Sequence, residues 1–162
     1  MGKFLLVFAA VLFASSAKAD VDFYASATPG FLAIEGKGGK IDGSFVAKEG
    51  MVSGKVKLKL AGFKTGSDLR DEHMCNYLKC KEHPEAVFEL VPFPLKDGSV
   101  KIKGNLTLAG KTKEVDALAK VNGKNLEVDG TIKLSDFGIE TPSYKLLTVA
   151  QEVDIHVLTS VK

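Results

Sequence analysis

Hydrophobic and polar residues alternate along most of the chain with a period of two. In residues 51–62, "MVSGKVKLKLAG", Val52, Val56, Leu58 and Leu60 share one parity and three lysines take the other. The segments 99–110, 125–136 and 153–161 repeat this pattern. Such alternation predicts β-strands with one buried face and one solvated face. Asn122-Gly123, between two of these segments, predicts a hairpin turn.

Glycines recur on the apolar parity, at Gly54, Gly62, Gly104 and Gly130. Glycine weakens a strand unless the sheet must bend sharply or another group must approach closely. Several glycines on one face therefore favour a strongly coiled sheet that closes on itself. The sequence predicts an all-β fold, an antiparallel barrel of about eight strands, with a two-sheet sandwich as the alternative.

One segment, from Ser67 to about Lys79, lacks the alternation and predicts a single short helix. Ser67 or Asp68 can cap its N-terminus, and acidic residues follow in the first turn, where the helix dipole favours them. The inward stripe would contain Leu69, His73 (or Met74) and Tyr77. Pro84 prevents the helix from continuing past it.

The first residues read as a leader: Lys3 precedes an apolar run from Phe4 to Phe13. Ala17-Lys18-Ala19 then provides a small-x-small cleavage pattern, so we expect a signal peptide over 1–19, a cut before Asp20 and a periplasmic or secreted protein. The run is shorter than the ~20 apolar residues of a membrane-spanning helix. Residues 20–162 are expected to form a single barrel domain.

Charge excludes some partners. The whole chain carries a formal charge of +2, and removal of Lys3 and Lys18 would bring it to zero. A neutral chain gives no reason to expect nucleic acid as a partner. No apolar stretch after Ala19 is long enough to span a bilayer, so no stable membrane insertion is expected.

The segment "HMCNYLKCKEH", residues 73–83, contains both cysteines and two of the three histidines. Its spacing fits no standard zinc or haem pattern, and on a helix His73 and Cys80 would lie ~10 Å apart along the axis, so no metal is expected. An exported protein with two cysteines favours a Cys75–Cys80 disulfide over a reactive dithiol. Residues five apart on a helix are separated by ~8.6 Å, so a disulfide requires the helix to unwind near Leu78.

The segment 65–90, "TGSDLRDEHMCNYLKCKEHPEAVFEL", resembles the hallmark of the YceI family, T-G-x-x-x-R-D-x-H followed by P-x-A-x-F. Residues 106–115, "LTLAGKTKEV", and the segments "SDFGI" and "VAQEV" are similar to further family signatures. The resemblance runs from about Phe31 to Val157. It implies an exported lipocalin-like barrel that binds polyisoprenoids, with one helix near one end. Leu134 and His83 depart from the residues that the family often carries.

With this resemblance, we expect the barrel to hold a long apolar ligand, such as a polyisoprenoid or an isoprenoid quinone, rather than only its own side chains. Arg70 is the candidate partner for the ligand's head group, because its guanidinium is a forked donor. The alternative role for Arg70 is an ion pair with Asp68 or Asp71 that ties the helix to the barrel. The expected apolar cavity residues are Phe23, Phe31, Val56, Leu58, Leu60, Phe88, Val100, Ile102, Leu106, Leu108, Val128, Ile132, Leu134, Val153, Ile155 and Val157.

Enzymatic motifs are scarce in the sequence. It contains no G-x-S-x-G elbow, and "GKGGKIDG" fails G-x-G-x-x-G because Ile41 replaces the third glycine. His156 lies on the polar parity of a strand, near Asp154, as expected for a surface residue. We therefore expect a binding protein with no catalytic residues and no cofactor. A non-binding scaffold, a lipid-modifying enzyme that uses the same cavity, and a homodimer remain alternatives.

Overall fold

The structure, a computed structural model, describes residues 19–29 and 32–162. The predicted signal peptide therefore lies outside the described residues except for Ala19. The described chain forms ten strands and one α-helix: β1 (Asp20–Thr28), β2 (Leu32–Lys48), β3 (Met51–Lys59), α1 (Asp68–Tyr77), β4 (Glu85–Pro94), β5 (Gly98–Leu108), β6 (Lys111–Asn122), β7 (Asn125–Lys133), β8 (Ser143–Tyr144), β9 (Leu147–Val149) and β10 (Glu152–Ser160). Short 3-10 turns occupy Leu60–Gly62 and Leu134–Phe137.

The sheet closes on itself, because β1 pairs with both β2 and β10. Strands β1 to β7 and β10 form an eight-stranded antiparallel barrel, and β8 and β9 form a small hairpin that joins it through β9 and β1. The barrel prediction is confirmed, and the sandwich alternative is wrong. A sandwich would have two separate sheets packed face to face, whereas here the eight strands form one continuous closed sheet.

The predicted helix is also confirmed. Its first turn is capped by Ser67, whose hydroxyl accepts a hydrogen bond from the Arg70 backbone N–H at 3.4 Å. It ends at Tyr77, and Lys79 takes a left-handed backbone conformation with φ of 55°. This turn lets the chain reverse before Pro84 and enter β4. No helix in the described part of the chain is long and apolar enough to cross a lipid bilayer.

Antiparallel connectivity divides the barrel into two ends. The longer connections, 60–84 with α1 and 134–151 with the β8–β9 hairpin, lie at one end, which we call the helix end. The tight turns at 49–50, 95–97 and 123–124 lie at the other, which we call the far end.

Each end has its own cluster of buried apolar side chains. The far-end cluster contains three phenylalanines, Phe45, Phe88 and Phe93, together with Val52 and Ala119, which are fully buried. Phe45 and Phe88 pack edge to face, with ring centroids 6.4 Å apart. The helix-end cluster surrounds a cavity.

Candidate functional site: an apolar cavity at the helix end

The helix end of the barrel encloses a cavity of about 470 Å³. This volume lies within the range of ~300–1,000 Å³ typical of small-molecule sites. Most of its wall is aliphatic or aromatic. The side chains that come from the barrel strands are Val21, Phe23, Ala25, Ala27, Leu32, Ile34, Leu58, Ala86, Leu106, Leu108, Ile132, Val153 and Ile155.

Helix α1 forms one side of the cavity with Leu69, His73, Met74, Tyr77 and Leu78 at its C-terminal cap. These residues follow the spacing of one helix face, as the sequence predicts for its inward stripe. Leu69 is half exposed, at 51 %, so this face extends from the interior to the rim of the cavity.

The helix is fastened across the cavity to the β8–β9 hairpin. The Tyr77 hydroxyl accepts a hydrogen bond from the Ser143 backbone N–H at 3.1 Å and lies 3.3 Å from the Ser143 carbonyl oxygen, to which it donates. The rings of His73 and Tyr144 lie 4.9 Å apart. These contacts close part of the mouth, and the hydrogen-bonded pair Tyr77 and Ser143 is 66 residues apart in sequence.

A disulfide joins Cys75 and Cys80, with their Cα atoms 5.0 Å apart. This separation is shorter than a continuous helix allows, and the left-handed Lys79 between them supplies the necessary change of direction. The Cys80 N–H also donates to the Cys75 carbonyl at 2.9 Å. The disulfide therefore fixes the exit of α1 beside Leu78, at the cavity wall.

The entrance to α1 is held by Asp71. Its Oδ1 accepts hydrogen bonds from the Thr65 backbone N–H at 2.8 Å and from the Thr65 hydroxyl at 2.7 Å. The Lys64 ammonium lies 3.5 Å from Oδ2. The Thr65 hydroxyl, its backbone N–H and Lys64 together hold the pKa of the Asp71 carboxyl below its usual range, against the opposing effect of burial.

Arg70 is placed differently from the ion pair that the sequence left open. Among the described residues, no carboxylate lies within 4.0 Å of its guanidinium, since Asp71 is paired with Lys64 instead. The guanidinium Nη1 donates to the Thr65 carbonyl at 3.3 Å. Arg70 therefore lines the cavity as a cation whose guanidinium has further N–H donors available for a ligand.

The cavity wall contains nine of the sixteen apolar residues that the sequence predicts for it: Phe23, Leu58, Leu60, Leu106, Leu108, Ile132, Leu134, Val153 and Ile155. Phe31 lies outside the described residues. Contact of any of the nine with a ligand stays a prediction.

The remaining six do not line this cavity. Five pack in the far-end cluster, namely Val56, Phe88, Val100, Ile102 and Val128. The sixth, Val157, pairs with Val21 and Val128 on neighbouring strands and packs against the helix-end cluster without lining the cavity. These residues point inward as their parity requires, but at heights where other side chains fill the barrel.

Some residues of the cavity wall were not predicted from the sequence. Val21, Ala25 and Ala27 share the parity of Phe23 in β1, so the same alternation could have found them. Phe63, Ile139 and Pro142 come from the long connections, where no periodic pattern exists to indicate which side chains turn inward.

A separate polar cluster lies on the outer wall. One carboxylate oxygen of Glu127, one of Asp129 and one ring nitrogen of His156 all lie within 4.8 Å of one another. His156 Nδ1 is hydrogen-bonded to Asp129 Oδ1 at 2.6 Å, and Lys120 lies 3.5 Å from Glu127. The neighbouring Ile155 faces the cavity, so this cluster occupies the opposite face of the strands.

Comparison with known proteins places these features in a family. The YceI-like domain matches residues 14–161 of the chain. A UPF0312 protein from Pseudomonas aeruginosa is 32 % identical over 141 residues, covering 78 % of this chain and 72 % of the relative. Protein YceI from Escherichia coli is 31 % identical over 112 residues, covering 62 % of this chain and 57 % of the relative.

Solved structures share the fold at lower identity. BcnA from Burkholderia cenocepacia has a TM-score of 0.66 at 22 % identity, over 88 % of this chain and 96 % of BcnA. A polyisoprenoid binding domain from Saccharophagus degradans has a TM-score of 0.65 at 18 % identity, over 91 % of this chain and 97 % of that domain. On the match across nearly its whole length, the chain belongs to the YceI-like family.

Proposed function

We propose that this protein is an exported carrier that holds a long apolar ligand, a polyisoprenoid, an isoprenoid quinone or a similar lipid, in the helix-end cavity. The observation that carries the proposal is the cavity itself: about 470 Å³ with a largely apolar wall, inside a barrel whose other end is packed. A protein that needed only a stable scaffold would gain stability by filling this space with side chains.

Burial of the ligand's tail supplies the affinity. Each CH₂ group removed from water contributes ~0.8 kcal/mol, so one five-carbon isoprenoid unit contributes ~4 kcal/mol before the cost of ordering the chain. This term discriminates poorly between apolar chains, because any of them satisfies it. Selectivity must therefore come from the polar groups at the rim, of which Arg70 is the proposed head-group partner.

The polar lining favours binding over catalysis. Thr65, Ser67, Arg70, His73 and Ser143 gather on the connections of the helix end, whereas the side chains that line the cavity from the eight barrel strands are apolar. A head group would meet these polar residues while the tail meets none. The Saccharophagus degradans domain, a polyisoprenoid binding domain of the same fold, supports an apolar chain as the ligand class.

Export is part of the proposal. The apolar run from Phe4 to Phe13 and the Ala17-Lys18-Ala19 pattern are typical of a signal peptide cleaved before Asp20. The Cys75–Cys80 disulfide supports the same conclusion, since disulfides persist in oxidising compartments such as the periplasm.

Mass spectrometry of the protein, expressed in full length in a bacterial host and purified from the periplasm without detergent, tests both points. The native spectrum should contain a chain that begins at Asp20 with one apolar molecule bound, which organic extraction then releases and identifies. A chain without cargo, and without uptake of long-chain isoprenoids on titration, would contradict the carrier. A polypeptide that retains residues 1–19 would contradict the cleavage.

A further inference from the structure

A second concave surface adjoins the cavity on the outside of the barrel. It is a cleft of about 410 Å³ between the outer face of β2 and the connection that leads to α1. Its wall consists of Ala33, Glu35, Lys37, Lys64, Thr65, Gly66 and Arg70. Thr65 and Arg70 also line the apolar cavity, so the two spaces are separated by one short stretch of chain.

The cleft contains two lysines that stand directly opposite each other. Lys37 and Lys64 face each other across an isolated antiparallel bridge, in which each backbone N–H donates to the other residue's carbonyl, at 3.0 and 2.8 Å. Directly opposed side chains in such a bridge have Cβ atoms ~5 Å apart, and like charges at this position are destabilising. A local arrangement that works against folding is often retained at a functional site.

Each of the two lysines has one carboxylate partner. Glu35 lies 3.1 Å from the Lys37 ammonium, and Asp71 lies 3.5 Å from that of Lys64. Both lysine side chains are more than half exposed, so each ammonium group can turn toward an incoming anion while Asp71 stays in place on its hydrogen bonds from Thr65. Arg70 adds a third cation that has no carboxylate within 4.0 Å in the described part of the chain, which leaves one positive charge in excess.

We infer that this cleft is a binding site for the oxyanion head group, a phosphate ester or a carboxylate, of an amphiphile whose apolar tail occupies the cavity. Arg70 stands where head and tail would join, with its guanidinium free to donate to two oxygens of the same group. Lys37 and Lys64 would hold the outer oxygens. The inference rests on the proposed function and adds that the preferred cargo is anionic rather than a neutral alcohol or quinone.

A competition experiment separates the head group from the tail. Delipidated protein is mixed with equal concentrations of geranylgeraniol and geranylgeranyl monophosphate, and native mass spectrometry reports the ratio of the two complexes. Both ligands have the same tail, so the ratio depends only on the head group. We expect about tenfold or greater preference for the phosphate at low salt. Hydrogen bonds to charged groups contribute more binding free energy than neutral ones, and the difference corresponds to about that factor in affinity.

Two double variants of equal charge make the test specific. Lys37→Gln/Lys64→Gln removes the cleft lysines, whose side chains are 61 % and 69 % exposed. Lys103→Gln/Lys120→Gln removes two ion-paired lysines of similar exposure, 57 % and 54 %, from the outer wall away from the cavity. The first should reduce the preference for phosphate several-fold while geranylgeraniol still binds. The second should leave the preference unchanged.

The outcomes are distinct. A ratio near one in the unaltered protein, or an equal decrease in both double variants, would overturn the anionic site and leave the carrier function intact. If neither amphiphile binds the unaltered protein, the proposed function fails together with the site. Higher ionic strength should lower the ratio by screening the exposed charges without weakening the binding of geranylgeraniol.

Discussion

The two ends of the barrel have the same backbone architecture and opposite interiors. At the far end, three phenylalanines converge with Val52 and Ala119, and the space between the strands is filled. At the helix end, Ala25 and Ala27 on β1 and Ala86 on β4 provide small side chains, and helix α1 and the β8–β9 hairpin contribute the remaining wall around an unfilled space. A cavity results.

The difference shows that the strand pattern does not decide whether a barrel is hollow. Val100 and Ile102 follow the same alternation as Leu106 and Leu108 on the same strand, yet the first two lie in the packed cluster and the last two line the cavity. An eight-stranded barrel is at the size where side chains can either fill the interior or leave room for one ligand. The choice is made by side-chain volume at each height and by what covers the end.

The largest contrast between the ends is expected from removing one phenyl ring from each. Phe93 at the far end and Phe63 at the helix end are equally buried, each 5 % exposed. Phe93→Ala should lower the free energy of unfolding by about 3–5 kcal/mol, because it opens a new cavity in a packed core. Phe63→Ala should lower the free energy of unfolding by at least ~1 kcal/mol less than Phe93→Ala does, since the Phe63 ring already faces empty space on one side.

Urea unfolding of the delipidated proteins measures both values, because a bound ligand would add its own stabilisation. Equal losses in the two variants would mean that the helix end is as tightly packed as the far end, and would contradict the cavity.

The opposite change, adding side-chain volume in place of an alanine, should also affect the two ends differently. Ala119→Leu, at a position with no exposure among packed neighbours, should destabilise the protein by about 1–3 kcal/mol through overpacking. Ala86→Leu points into the cavity and should leave the free energy of unfolding nearly unchanged, while it weakens the binding of a long isoprenoid alcohol. Chemical denaturation measures the free energy of unfolding of both variants, and ligand titration by native mass spectrometry measures the binding of the isoprenoid alcohol. A destabilisation of Ala86→Leu as large as that of Ala119→Leu would remove the distinction between the ends.

The disulfide should act on the helix end alone. Replacing both Cys75 and Cys80 by serine opens a loop of a few residues, for which the chain-entropy model gives a loss of ~2 kcal/mol or less. Backbone hydrogen exchange should become faster near the exit of α1, around residues 74–83. It should stay unchanged in the halves of β6 and β7 that meet at the far-end turn 123–124. Faster exchange throughout the barrel would show that the disulfide supports the whole fold instead.

The smallest effect is expected from the carboxylate at the start of α1. The hydrogen bonds from Thr65 lower the pKa of Asp71 below its ordinary value of 3.8, so the charged form stabilises the folded state. This contribution is complete above the unfolded pKa and is lost as the pH falls from about 3.8 through the lower pKa of the folded protein. Asp71→Asn should therefore cost ~1 kcal/mol near neutral pH, and the difference from the unaltered protein should shrink as the pH falls through that range.

Asp68→Asn is the matched control, since it removes a carboxylate from the same helix turn where no side-chain hydrogen bond is formed within the described residues. Its loss of free energy of unfolding should be smaller than that of Asp71→Asn, because Asp68 contributes only through its position near the positive end of the helix dipole. A loss for Asp71→Asn that is constant with pH would show that the charge of Asp71 contributes nothing.

Much of the fold was predictable from sequence, because alternation determines strands and their inward face, while Ser67 and Pro84 delimit the helix. The cavity was only partly predictable. Parity identifies inward residues such as Leu106 and Ile102 without giving their height along the barrel axis, which depends on strand stagger. The cleft was not predictable at all, since it requires that Lys64 pair with Lys37 across 27 residues of chain.

The most direct test of the two-ended barrel is a crystal structure of the protein loaded with a long-chain isoprenoid alcohol. We expect elongated electron density confined to the helix end, along Phe23, Leu106 and Ile155, and ending near Arg70, with the phenylalanines of the far end unmoved. A helix end filled by its own side chains, with no ligand density inside the barrel, would contradict it.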